Sequence, residues 1–165
     1  MGETSKELSY IQELIEEGDF KEALTTIEKL DETIVFNDQE KFTYYLLKGT
    51  ILFNLSQFEQ SYKVADQAYQ ESRRIKDDLY IIDILTLIAR NLIRLNKFDE
   101  AIEILEQAED LIEKHPYETP NEVALKRKKA TLYSVKNYFI SDYFGIKLII
   151  KRNISSIIQT HQSFC

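Results

Sequence analysis

Three short segments of this chain repeat one pattern: Gly18-Asp19-Phe20-Lys21-Glu22-Ala23, Ser56-Gln57-Phe58-Glu59-Gln60-Ser61 and Asn96-Lys97-Phe98-Asp99-Glu100-Ala101. Each is a polar pair, an aromatic, two polar residues and a small residue. Lys136-Asn137-Tyr138-Phe139-Ile140-Ser141 is a looser fourth copy. The aromatics Phe20, Phe58, Phe98 and Tyr138 stand 38, 40 and 40 residues apart. A period in this range leaves few folds open. Each repeat is one supersecondary unit that cannot bury its apolar face alone, so the units must stack.

The flanks of each segment identify that unit. Before Phe98 the run from Leu79 to Leu95 is apolar nearly all round, as in a helix buried between neighbours. After it, Phe98, Ala101, Ile102, Leu105, Ala108, Leu111 and Ile112 follow the three-and-four spacing of one helical face. Glu100, Glu103, Glu106 and Glu109 fall on the opposite, wet face. Thr4 to Glu7, Asp19 to Glu22, Asn37 to Glu40 and Ser56 to Glu59 have the spacing of capping boxes. His115-Pro116 ends one helix and Thr119-Pro120-Asn121-Glu122 begins another. The pattern predicts helices over about 5–17, 20–32, 39–55, 58–75, 79–95, 98–114, 121–136 and 139–158.

These features resemble the tetratricopeptide repeat, in which two antiparallel helices form each unit. The small residue of the first helix corresponds to Gly49 and Ala89. The turn aromatic and its following small residue correspond to Phe20/Ala23 and Phe98/Ala101, and the last small residue of the second helix to Ala68 and Ala108. Ser61 stands where alanine is usual, and Ile11 and Lys129 stand where small residues are. Gly145 falls inside the last predicted helix. The resemblance implies an all-α, right-handed superhelical solenoid of antiparallel helix pairs. It would comprise about four repeats (4–36, 38–76, 78–116 and a degenerate 120–158) in one domain, 1–165, with seven or eight helices.

Composition narrows the function. Only 4 glycines and 2 prolines interrupt the chain, and 44% of residues are hydrophobic, which excludes extended disorder. The net charge of −7 is uneven: residues 121–165 carry +6 and the preceding 120 carry −13. Such polarity can steer a partner. The block Lys126-Arg127-Lys128-Lys129 points several ways around a helix, so with an acidic whole it argues against nucleic acid. No apolar run reaches the roughly 18 residues that span a bilayer, and no basic-then-apolar leader opens the chain. With a lone Cys165, the expected location is the reducing cytoplasm.

The residues offer no catalytic constellation. His115 sits at a helix end, and His161 with Cys165 falls two ligands short of a structural zinc site. No glycine-rich phosphate loop is present. The expectation is a non-enzyme with no cofactor and no metal.

In the resembling family the first helix of each pair lines the concave face and holds a peptide or helix of a partner protein. That implies an adaptor or scaffold, with groove candidates Gln12, Thr50, Asn54, Arg90, Asn91, Arg94, Lys126 and Tyr133. Arg90 and Arg94 are one helical turn apart and interrupt an apolar helix, so together they suit a carboxylate and an acidic partner. The family's clamp for a terminal carboxylate has no counterpart, because Leu8, Gln12, Leu46 and Leu47 occupy that region. Tyr44, Tyr45, Tyr62, Tyr69 and Tyr80 read as packing residues between repeats. The alternative is a homo-oligomeric module. It would form a homodimer through the apolar, basic C-terminal helix that carries Phe144, Ile146, Leu148, Ile149 and Ile150.

Overall fold

The structure is a computed structural model that describes residues 3–31, 36–72, 78–114 and 126–141. All described elements are helical. They are α1 (Glu3–Glu17), α2 (Phe20–Asp31), α3 (Asp38–Asn54), α4 (Phe58–Ser72), α5 (Asp78–Arg94) and α6 (Phe98–Lys114). Residues 126–141 form α7. Beyond residue 141 the predicted helix over 139–158, with the dimer contact assigned to it, lies outside the described residues, as do the His115-Pro116 and Thr119-Pro120 boundaries.

Three turns explain the period. Gly18, Ser56 and Asn96 adopt left-handed backbone, with φ of 84°, 62° and 60°. Each closes its helix in the same way. Asp19 N–H donates to Leu14 C=O and Gly18 N–H to Ile15 C=O. Gln57 and Ser56 donate to Leu52 and Phe53, and Lys97 and Asn96 to Leu92 and Ile93. This is the Schellman pattern, which satisfies the last carbonyls of one helix while reversing the chain. The next helix starts at once, since Ala23, Ser61 and Ala101 donate to Asp19, Gln57 and Lys97. Ser56 is therefore the turn residue and Gln57 precedes the helix, which corrects the predicted Ser56 cap. Thr4 already lies inside α1. Asn37–Glu40 is a complete capping box, and at Asp19 the side chain accepts from Glu22 N–H.

The fourth copy is not a turn. Residues 126–141 are helical throughout, so the break predicted at 136–139 is absent. Lys136 stands where the true turns have Gly, Ser or Asn. Lysine has neither glycine's freedom from a β-carbon nor the short, locally bonding polar group of Ser or Asn, the features that make left-handed backbone tolerable. Tyr138 is 66% exposed, and Phe139 is the buried ring, 5.6 Å from Phe98.

Packing gives the solenoid its curvature. The backbones of α1 and α3, and of α3 and α5, approach closely, whereas those of α2 and α4 do not, and α4 reaches α6 through the long Tyr69 side chain, whose OH donates to Gln107 Oε1 at 3.4 Å. The first helices of the pairs crowd together and the second helices splay, so α1, α3 and α5 line the concave side. Close approach depends on small residues. A β-carbon on Gly49 would fall 2.7 Å from Leu87 Cδ2, and Ala23, Ala68, Ala89, Ala101 and Ala108 are fully buried. Ser61, the departure from the alanine pattern, is also fully buried. Its hydroxyl donates to Gly49 C=O at 2.7 Å and accepts from Asn91 Nδ2 at 2.8 Å.

Two lysines tie α7 to the acidic body. Lys128 pairs with Asp83 of α5, Lys136 pairs with Glu109 of α6, and the Lys129 ammonium lies over the Tyr133 ring. Two of the eight basic side chains of residues 121–165 thus pair with acids of neighbouring helices. Glu109, expected on a wet face, is half-buried by that pairing.

Candidate protein-binding groove

The C-terminal ends of α3 and α5 meet α7 around a cleft of about 300 Å³. Its apolar part comes from Phe53 of α3, Ile93 of α5 and Val135 of α7. Arg90, Arg94, Ser134 and Tyr138 supply the polar groups. The two guanidiniums are held by aromatic faces rather than by acids. Arg90 Cζ lies 4.1 Å from the centroid of Phe53, and Arg94 Cζ lies 5.0 Å from that of Phe58. Such stacking contributes about 0.5–2 kcal/mol and leaves the N–H edges available. Among the described residues neither arginine has a carboxylate partner. Burial pulls the Arg90 guanidinium below its usual range, with no neighbouring charge to offset the desolvation. It stays protonated at neutral pH, so the cleft holds an uncompensated cation. Arg94, in the last turn of α5, also complements the negative end of that helix.

A second cleft of about 290 Å³ opens where α1 meets the start of α3. Ser5, Ser9 and Gln12 line it from α1, and Asn37, Gln39 and Thr43 from the other side. Its only charged lining group, Glu40, is tied into the capping box, where it accepts from Asn37 N–H. Gln12 is exposed and donates to Glu16.

The predicted groove residues separate into three groups. Arg90 and Arg94 share the first cleft, and Gln12 lines the second. Thr50 and Asn54 lie on the solvent-reaching side of α3, their side chains donating to Leu46 and Thr50 carbonyls. The remaining three are elsewhere. Asn91 is fully buried, bonded to Ser61 and to Leu87 C=O, and does not reach a partner. The assignment fails because Asn91 shares its helical face with Ile84, Leu87 and Ile88, all buried. Tyr133 bonds to Glu109 of α6 and so lies away from the cleft. Lys126 is exposed about 12 Å along α7 from Ser134. Phe53, Ile93, Val135 and Tyr138 were not foreseen. The signal for Phe53 was its place in the same α3 stripe as Thr50.

No cluster of metal-binding side chains occurs among the described residues, and no described helix is long and apolar enough to cross a membrane. The repeat geometry now meets its relatives. Residues 40–114 match the family model of the tetratricopeptide repeat. The chain thus carries tetratricopeptide-type repeats over that segment. Its fold is also that of a tetratricopeptide-like protein from Chlorobium tepidum solved by crystallography. That structure has a TM-score of 0.60 and 18% identity, covering 81% of this chain and 94% of the other. No curated protein matches the chain. Tetratricopeptide repeats generally bind other proteins, which supports a general protein–protein interaction role.

Proposed function

We propose that this repeat protein is an adaptor that holds an acidic peptide or helix of a partner protein on its concave face, with Arg90 and Arg94 as anchors. The observation that carries this reading is the pair of guanidiniums, fixed on Phe53 and Phe58, facing a cleft with no described carboxylate to neutralise them. Arg90 is half-buried without a counter-charge, a cost that an incoming carboxylate removes, and Arg94 is exposed beside it, where it can donate further N–H bonds to the same group. The rings fix both cations before the partner arrives, so binding loses little side-chain entropy. The reading places the protein in the cytoplasm and needs no cofactor.

A selection of random dodecapeptides displayed on phage tests it, run against the chain and against the Arg90→Ala plus Arg94→Ala variant. Acid-rich peptides should be enriched on the chain and not on the variant. Equal enrichment of acid-rich peptides on both, or no enrichment on the chain, would refute the anchors.

A further inference from the structure

The two clefts differ in chemistry, and one helix joins them. On α3 the positions 39, 43, 46, 50 and 53 recur at spacings of four and three, which keeps them within one narrow stripe. Gln39 is exposed and Thr43, Leu46, Thr50 and Phe53 reach solvent along this stripe, whereas Phe42, Leu47, Ile51 and Leu52 are buried; Lys41 and Tyr45 also reach solvent, but on the side of α3 where both contact Glu71 of α4. Gln39 and Thr43 line the polar cleft at one end, and Phe53 lines the arginine cleft at the other. The stripe faces the concave side, because α1 contributes to the first cleft and α5 to the second.

We infer that the groove along α3 takes a bipartite ligand: a segment with neutral polar residues at one end and an acidic residue beside a large apolar side chain at the other. The inference rests on the acidic-peptide reading above and adds a second subsite and a length. From Gln39 to Phe53 is 14 residues of helix, about 21 Å along the axis. An extended peptide crosses that distance in about 6–7 residues at roughly 3.3 Å each. The polar cleft presents hydroxyls and amides with no uncommitted charge, which suits serine, asparagine or glutamine side chains and peptide groups. The arginine cleft adds an apolar floor from Phe53, Ile93 and Val135 under the two cations, which accommodates one large side chain next to a carboxylate. A chain acidic at both ends gains nothing at the polar end, and an apolar one leaves polar groups unpaired there.

Two synthetic peptides with capped termini test the inference: a short one, Asp-Phe-Glu, and a long one in which Ser-Gln-Ser-Asn-Gly precedes it, with the reverse block order as a companion. The short peptide is titrated at millimolar concentration while the side-chain Nε–H signals of Arg90 and Arg94 are followed by NMR. The long pair is titrated by fluorescence anisotropy. The expected result is that the short peptide shifts both arginine signals and that one long peptide binds at least about tenfold tighter, since tenfold needs only the roughly 1.4 kcal/mol of one or two added hydrogen bonds. Gln12→Ala plus Gln39→Ala, two exposed positions, should return the long peptide to the affinity of the short one and leave the short one unchanged. Arginine shifts with equal affinity for all three peptides, or a long peptide indifferent to the glutamine changes, overturns the bipartite groove alone. Absence of arginine shifts with the short peptide overturns the acidic-peptide reading beneath it.

Discussion

The buried pair Ser61 and Asn91 can be taken apart in a double-mutant cycle. The Ser61 hydroxyl donates to Gly49 C=O and accepts one N–H of Asn91, whose other bond goes to Leu87 C=O at 3.0 Å. Asn91 Oδ1 is buried with no partner. Ser61→Ala is sterically easy, since Ala23 and Ala101 fill the same repeat position fully buried. It removes two hydrogen bonds and strands an Asn91 N–H, which costs about 1–3 kcal/mol. Asn91→Leu is nearly isosteric. It removes the unpaired oxygen, leaves the bond from Ser61 to Gly49 intact, and should be neutral or stabilise by about 1 kcal/mol. In that background Ser61→Ala loses one bond and strands no donor, so its cost should drop to about 0.5–1 kcal/mol. Urea unfolding of the four proteins, compared by midpoint at constant slope, measures each corner and a coupling of about 1 kcal/mol. A neutral Ser61→Ala in the native background, or an equal cost in both, refutes the argument.

Other tests address the turns, the close approach and the ion pairs. Ser56→Gly and Asn96→Gly relieve left-handed backbone and should each stabilise by about 0.5–1 kcal/mol, whereas Gly18→Ala should destabilise by about 1 kcal/mol, all read from urea midpoints. Gly49→Val crowds Leu87 and should cost about 1–3 kcal/mol; the same change made on top of Leu87→Ala should cost clearly less. Bonding to Lys41, with help from Gln67 and Tyr45, holds the Glu71 carboxyl below the usual carboxylate range, and Glu71 in turn raises the Lys41 ammonium. The depressed carboxyl contributes stability that is present above its unfolded pKa and lost as pH falls through the folded value. The raised ammonium's share is present below the ordinary lysine range and lost as pH rises through its folded value. Unfolding midpoints between pH 3 and 7 should therefore fall less steeply in Glu71→Gln than in the native chain, and superimposable acid limbs would contradict this. Because the pair is only part-buried, the effect should be modest.

The repeat was legible because its turns are local. A residue that tolerates left-handed backbone, an aromatic two positions later and a small residue three beyond that suffice to mark a hairpin of helices. The fourth copy shared the aromatic but had Lys136 at the left-handed position, so α7 runs on and Phe139, not Tyr138, enters the core. Ser61 looked like a lapse from the alanine pattern because its partner, Asn91, is 30 residues away and its bond appears only once α4 and α5 pack. Arg90 and Arg94 were found from one helix, since their spacing and their intrusion into an apolar run are visible there. Their setting was not, because Phe53, Ile93 and Val135 come from three separate repeats. The partners of Lys128 and Lys136 were hidden in a similar way, since Asp83 and Glu109 lie on helices earlier in the chain.

The central claim is that partners bind on the concave face through the arginine cleft. Amide and side-chain NMR shifts, mapped while the best peptide from the display selection is titrated into the chain, test it most directly. The account predicts shifts at Phe53, Arg90, Arg94 and Tyr138 and along the α3 stripe, with the outward faces of α2, α4 and α6 unmoved. Shifts gathered on those outward faces, with the two arginine signals still, would contradict it.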